Sequence, residues 1–483
     1  MWSTPIFECS ANLVLQSPSI PPIAKIDLNW HPPISSKINN LTSAINGTGT
    51  YGFIFNSSTL PNGVPYGTYN WCNMPHVRPA EYPQVNTSLY TLAYVEVIHR
   101  HHKRTPYSAN TFPVESYPWD CDDSSLFHYA SPLATNHDPA KTYYKLFNHP
   151  SNLLTPPGFS GTCQFPQITH SGLLDSFDHG KDLFQVYHTL LNFLPKHYDP
   201  SLISFRVTNN PITSQVASMI ISSMFGPSLP NIPLLIQPPT IDSLEPSYPC
   251  PAAKRNFSLY GPGSSNSNWT THLTAASSLF TQLDSISGVS PLDKGFHISF
   301  DHYFDNLSSR LCHSYSLPCN ITNPSLCITQ EMADTVFRLG EYEYSYLYRD
   351  AGPQTLEFSV GIYGIWIAEL TQNIRDVVIG GKQESQIKYR HNVAHDGSIS
   401  YILSILQVEE MVWPGMGSEI VFELYQGKEN KKYYIRILWG GQVLRSSNPT
   451  LGVLDLIDVE ILLDYFDGLI GKGAEKIPGL CSL

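Results

Sequence analysis

The sequence predicts an α/β fold built around a mostly parallel sheet, on three observations. Tyr94-Val95-Glu96-Val97-Ile98 is a short apolar run with the β-branched content of a buried strand. Helical spacing follows over 173–194, where Leu173, Phe177, Phe184, Tyr187, Leu191 and Leu194 share one face, with Gly180 the gap in that stripe. The pattern then repeats. Phe205 closes a second strand, and 214–225 reads as a helix packed on the sheet. Alternating strand and helix patterns are what a parallel sheet with helical crossovers requires.

The other segments read in chain order. Residues 1–90 are rich in proline, asparagine and glycine, which suggests an extended arm around the body, with GTYGFIFNSS (49–58) as a strand within it. Residues 107–165 form a polar, proline-dotted excursion. Residues 226–385 hold few strand signals and three helical stretches, at 271–283, 331–348 and 355–372. The core returns at Val393 with a helix over 399–406 and a closing helix over 454–470. The expected division is an arm at 1–90, a core at 91–225 plus 386–483, and a mainly helical unit at 226–385.

The 483 residues suffice for a large core and more than one structural layer. An apolar share of 42% against 14% charged residues describes a globular chain. The net charge of −12 excludes a global basic field for nucleic acid. It would also repel an anionic ligand mildly, so any anion site must reverse the sign locally. No apolar run approaches the roughly 18 residues of a membrane helix, and residues 1–25 show no continuous apolar signal region. Asn40, Asn46, Asn56, Asn86, Asn256, Asn268, Asn306 and Asn320 each open an N-x-S/T triplet, and these predict N-glycans on a secreted protein. Nine cysteines without metal spacing predict four bridges and one leftover, Cys9, with Cys121–Cys163 and Cys312–Cys319 as local pairs.

Chemistry concentrates in Arg100-His101-His102-Lys103-Arg104-Thr105-Pro106, directly after the first strand. Ligands in open α/β sheets bind at the carboxyl ends of strands. Arginine presents a planar fork of donors to phosphate oxygens, and a neutral imidazole is a competent nucleophile. The bland alternative is a solvated basic face. Metal ligation by His99, His101 and His102 is disfavoured, because no HExxH or CxxC partner appears and the flanking arginines oppose a dication. Neither metal nor cofactor is expected.

The heptapeptide resembles the RHGxRxP signature of the histidine acid phosphatases. Further resemblances follow in order. Pro166-Gln167-Ile168-Thr169-His170-Ser171-Gly172 is similar to the family's LTxxG element, and Phe205-Arg206-Val207-Thr208 to its RxT strand end. Thr213-Ser214-Gln215-Val216-Ala217 is similar to the next helix start, and Ala394-His395-Asp396-Gly397 to its HD pair. The stretches 418–424 and 434–438 are similar to the two late strands that follow the family's HD helix. The resemblance spans about residues 90–480 and looks nearest to fungal secreted members. It implies a three-layer α/β sandwich with a helical cap over the cleft. His101 would become phosphohistidine, Asp396 would serve as general acid, and Arg100, Arg104, Arg206 and His395 would hold the phosphate. Two positions depart from the pattern: His102 stands for the motif glycine, and Ile212 for an arginine that commonly precedes the threonine. His102 and Lys103, inside the cradle, are the expected substrate-selecting residues.

A secreted acid phosphomonoesterase is therefore expected, acting on a small phosphomonoester or a phosphorylated glycan. Phytate is disfavoured, because only 28 basic residues serve the whole chain. The departures motivate a second expectation, a phosphate-binding pseudoenzyme or secreted binding protein without turnover. A mutase fits the extracellular signs less well. Nucleic acid and membrane partners are not expected.

Overall fold

The computed structural model describes residues 26–50 and 64–482, apart from 114–116, 129, 132–133, 136, 156–159, 227–228, 230 and 381–386. The expected strand at 49–58 falls mostly outside the described residues, as do Asn56 and Cys9. The strands are β1 (Tyr90–Arg100), β2 (Phe127–His128), β3 (Thr142–Tyr143), β4 (Ile203–Val207), β5 (Leu234–Leu235), β6 (Tyr389–Ala394), β7 (Glu419–Gly427), β8 (Tyr433–Trp439), β9 (Gln442–Val443) and β10 (Ile457–Asp458). β2 and β3 form a separate ladder; the rest make one sheet in the order β10-β8-β7-β1-β6-β4-β5, with β9 on β8. β1, β6, β4 and β5 pair in parallel, while β7 joins β1, and β8 joins β7, antiparallel. β8 therefore points the same way as the parallel set.

The arm carries α1 (Leu41–Asn46). Backbone and side-chain bonds tie its extended part to the body: Ile34 N donates to Glu409 O at 2.8 Å and Asn448 Nδ2 to Asp27 O at 2.9 Å. One sheet face is covered by α2 (His170–Phe184) and α3 (Pro211–Phe225). There Val95, Val97, Phe205, Val207, Val393 and Val421 pack on Val216, Ala217 and Ile220. α4 (Pro251–Tyr260) leads into a helical cap of α5 (Ser267–Ala275), α6 (Ser277–Ser287), α7 (Lys294–His297), α8 (Asp301–Cys312) and α9 (Gln330–Ser345). The cap has its own apolar centre, including Phe280, Phe304 and Phe337, which reaches Trp71 and Trp413. α10 (Pro353–Val378), α11 (Asp396–Ile405), α12 (Val459–Ile470) and α13 (Ile477–Cys481) complete the other face. Tyr94, Ile98, Ile420 and Phe422 point into that layer. The period-2 alternation between Tyr94/Ile98 and Val95/Val97 feeds both cores from one strand. Burying each such side chain stabilises the fold by roughly 1.5–3 kcal/mol.

The result is the expected three-layer α/β sandwich with a cap. The packing corrects several details. α10 belongs to a sheet-facing layer, so the boundary drawn at 385 cuts across a core. The regular helix expected over 173–194 ends at Phe184 and continues as a π-turn over Gln185–Leu190. Its buried face carries Asp175, Ser176 and His179, whereas Phe177 is 37% exposed. Polar residues engaged in ion pairs thus rotated the true face away from the apolar stripe. α8 was not expected from the sequence, because its buried face mixes Tyr303, Phe304 and Leu307 with Asp305, Asn306, Ser308, Ser309 and Arg310 and its apolar content is low. Asn306 cannot carry a glycan: it is 1% exposed, donates to Asn110 O at 2.9 Å and accepts from Arg310 Nε at 3.1 Å. Asn40, Asn46, Asn86 and Asn268 are exposed, and Asn256 and Asn320 half-buried.

The disulfides are Cys72–Cys312, Cys121–Cys163, Cys250–Cys481 and Cys319–Cys327. The expected Cys312–Cys319 pair is not formed, because Cys312 at the end of α8 meets Cys72 from 240 positions away. No helix among the described residues is long and apolar enough to cross a membrane.

Gly180 is where α2 meets α3. A Cβ there would stand 2.3 Å from Ser223 Oγ and 2.7 Å from Ile220 O. Gly180→Val is expected to cost about 1–3 kcal/mol by overpacking, seen as a lower midpoint in chemical denaturation. An unchanged midpoint would contradict this contact.

Candidate active site

The cradle begins where β1 ends, and backbone bonds fix its path on three sides. His101 N donates to Ala394 O at the end of β6 (3.0 Å), and Gly417 N donates to His101 O (3.1 Å). Thr105 N donates to Gln167 O (3.0 Å) and Thr169 N to Lys103 O (3.3 Å), which pins the segment to the start of α2. Gly172 permits that approach, because a Cβ there would lie 2.0 Å from Lys103 O. Thr169 caps α2 by accepting from Gly172 N.

His101 is 1% exposed. Its Nδ1 lies 3.0 Å from His102 O, and a carbonyl only accepts, so Nδ1 carries the hydrogen. Nε2 is left as the nitrogen with the free lone pair. Burial, followed by the charges of Arg104, Arg100 and His395, holds this imidazole well below its usual range. The shift favours the neutral ring that a nucleophile requires.

Two guanidinium groups flank it. Arg104 makes its hydrogen bonds through Nη1, to Thr105 O (2.9 Å) and Asp305 Oδ1 of α8 (3.0 Å), and lies 4.0 Å over the Tyr107 ring. Its Nε is buried and has no protein acceptor. Arg100 donates to Pro414 O (2.6 Å), stacks on Trp71 (4.6 Å) and pairs with Asp396 (Nη2–Oδ2 3.2 Å). His395, immediately beyond β6, has its ring centroid 5.4 Å from that of His101. Its Nε2 faces Thr208 Oγ1 (3.0 Å) and Glu245 Oε2 (3.3 Å).

Asp396 opens α11 and keeps 23% of its side chain exposed. Its Oδ2 accepts from Trp413 Nε1 at 2.8 Å and from the Tyr344 hydroxyl at 3.4 Å. Burial alone would push this carboxyl up. Arg100, the Trp413 hydrogen bond, Arg104 and His395 outweigh burial and hold it below the usual carboxylate range. An anion that took over the two arginines would remove that pull and let the carboxyl protonate.

The structure gathers His101, Arg100, Arg104, His395 and Asp396 at one place, and it sets three expected residues apart. Arg206 lies in register with Asn392, two positions before the Ala394 level of Arg100, and its guanidinium is engaged there by Glu369 (2.6 Å), Gln237 (2.6 Å), Ser243 (2.8 Å) and Asp242 (3.2 Å). Strand alternation turns Phe205 and Val207 to α3 and Arg206 to the α10 face. His102 is fully buried behind the cradle, against Ser176 (3.0 Å) and His179 (3.2 Å), its ring filling the space beside Gly417. Lys103 is 1% exposed and paired with Asp175 at 3.1 Å. Lys103 also lines a cavity with Trp119, Thr169, His170 and His313. Ile212 is buried in apolar packing. Sequence reading missed Asp305, Trp413, Tyr344, Thr208 and Glu245. Thr208 closes the quoted RxT motif without an assigned role; the others sit in no quoted motif, and only folding brings them in.

Residues 91–250 and 241–439 match the histidine phosphatase superfamily (branch 2). The chain belongs to this family. Among curated proteins, counting factor 60 of Dictyostelium discoideum is 25% identical over 376 residues, covering 75% of this chain and 83% of that one. Human lysophosphatidic acid phosphatase type 6 is 22% identical over 391 residues, covering 77% and 83%. Among solved structures, the phytase of Hafnia alvei in complex with myo-inositol hexakis sulphate has a TM-score of 0.50 at 11% identity, covering 80% of this chain and 99% of that one. That likeness shows the fold alone. Membership in this phosphatase family and these relatives support hydrolysis of phosphate monoesters.

Inorganic phosphate is expected to raise the Asp396 carboxyl from its depressed value, so binding at acid pH takes up protons. Calorimetry in buffers of different ionisation enthalpy measures this. Uptake that persists in Asp396→Asn would contradict the assignment.

Proposed function

We propose that this histidine phosphatase is a secreted acid phosphomonoesterase working through phosphohistidine on His101. The observation that carries the reading is the fixed tautomer of His101, whose Nδ1 hydrogen is held by its neighbour's carbonyl while Nε2 keeps its lone pair. Nε2 attacks phosphorus, the N–P bond forms and the P–O bond to the leaving alcohol breaks. Asp396 gives its proton to that oxygen. The Asp396 carboxylate then takes a proton from water as the water attacks phosphorus, the N–P bond breaks and phosphate departs. Arg100 and Arg104 balance the charge on the phosphoryl oxygens, and His395 adds a donor.

Charge balance around the cradle bears on substrate. Arg104 and Lys103 each hold a carboxylate already, and Glu245 faces His395. Such a site suits one phosphate on an uncharged leaving group, such as a small monoester or a phosphorylated glycan, more than a polyphosphate. Four disulfides and the exposed sequons support an extracellular setting. One observation favours a second reading, a phosphate-binding protein without turnover: with Arg206 engaged elsewhere and Ile212 apolar, the cradle holds two guanidiniums rather than three.

Hydrolysis of p-nitrophenyl phosphate at about pH 5 is expected from the native chain and absent in His101→Ala. Asp396→Asn is expected to slow alkyl phosphates by about 10²–10⁴ and p-nitrophenyl phosphate less, since a good leaving group needs little protonation. Phosphate binding with no turnover on any monoester would establish the second reading instead.

A further inference from the structure

Behind the cradle three buried imidazoles converge: His99 on β1, His102, and His179 on α2. One nitrogen of each lies within 4.8 Å of the corresponding nitrogens of the other two. The opposite ring nitrogens are engaged with oxygens: His99 Nδ1 with Arg100 O (2.8 Å), His102 Nδ1 with Ser176 Oγ (3.0 Å) and His179 Nε2 with Glu419 Oε2 (3.0 Å). Arg100 O can only accept, so His99 Nδ1 carries its hydrogen. His99 Nε2 is then a bare lone pair, and it is fully buried without a hydrogen-bond partner.

The remaining contacts are short of hydrogens. Gly172 O, Ser176 Oγ, His102, His179 and Glu419 form a chain of four contacts, at 2.7, 3.0, 3.2 and 3.0 Å. With a neutral serine, two neutral imidazoles and a carboxylate, the chain has only three hydrogens to fill them. If the hydroxyl donates to Gly172 O and each ring donates outward, the unfilled contact is His102 Nε2 to His179 Nδ1. That is where the His99 lone pair also arrives.

We propose that His99, His102 and His179 form a buried site for a zinc-class divalent metal ion. Their outer hydrogen bonds, to a carbonyl, a hydroxyl and a carboxylate, are the partners that orient metal-binding histidines. Tetrahedral ligands at a Zn–N distance of 2.0–2.1 Å stand about 3.3 Å apart, close to the 3.2 Å between His102 and His179. Glu419 Oε2 lies 3.0 Å from His179 Nε2 and orients that ring. The arginines that oppose a cation in the sequence turn their heads to Asp396 and Asp305. The ion would position rather than react: it fixes His102, whose carbonyl holds the His101 hydrogen.

The test uses the full chain, stripped with a chelator and returned to Zn²⁺, with metal content by mass spectrometry and thermal midpoint by calorimetry. One ion per chain and a midpoint raised by several degrees are expected. Both should be lost in His179→Gln and kept in His188→Gln, a half-buried histidine that bonds Leu194 O instead. If His179→Gln does not fold, Co²⁺ added to the native chain should give the intense visible bands of tetrahedral ligation. A folded native chain that takes up neither Zn²⁺ nor Co²⁺, or full metal content retained in folded His179→Gln, would overturn the proposal. A fourth hydrogen on Glu419 would then fill the chain.

Discussion

The parallel pairing of β1 with β6 brings together residues that lie nearly 300 positions apart. Arg100 stands opposite Ala394 in that ladder, and the next backbone bond runs from His101 N to Ala394 O. The nucleophile and the acid therefore leave adjacent strand ends in the same direction. A one-residue slip would turn every side chain of β1 to the other face. Both hydrophobic layers oppose such a slip, since Val95 and Val97 are seated on one side and Tyr94 and Ile98 on the other.

Around this pairing the cradle is held by charge. Lys103 is tied to Asp175 of α2, Arg104 to Asp305 of α8, and Arg100 to Asp396 of α11. Removing one member of a buried pair typically costs about 3–5 kcal/mol, because the other charge is left uncompensated. The pairs thus fix the cradle to three separate helices before any ligand arrives. Asp305 has a further consequence, since it also accepts from Tyr107 N and Asn110 Nδ2. The cap is locked to the cradle there, and the Cys72–Cys312 bridge secures the C-terminal end of the same helix.

Much of this was legible in the chain. β1, α3 and α11 announce themselves through β-branched runs or helical spacing, β7 and β8 through the likeness of 418–424 and 434–438 to the family's two late strands, and the ordered motifs mark Arg100, His101, Arg104, His395 and Asp396. What was not legible has a common physical cause: buried polar residues do not show up in a hydrophobic pattern. Asp175, Ser176 and His179 hid the true face of α2, and five buried polar residues lowered the apolar content that would have marked α8. Arg206 shows the opposite error. Its motif position suggested the cradle, but it sits two positions earlier in the ladder and its guanidinium is held by Glu369, Gln237, Ser243 and Asp242. His102 replaces a glycine and reads as a cleft residue, yet its ring turns inward beside Gly417. Cys312 has a near neighbour in sequence at Cys319 and a bridge partner that only tertiary packing supplies.

The central claim is that His101 carries the phosphoryl group in transit. Rapid mixing with a ³²P-labelled monoester, an alkaline quench and peptide mapping tests it most directly. The account predicts a base-stable, acid-labile label on the peptide containing His101, formed and lost at rates that match turnover. Turnover without any covalent label, or a label on another residue, would contradict it.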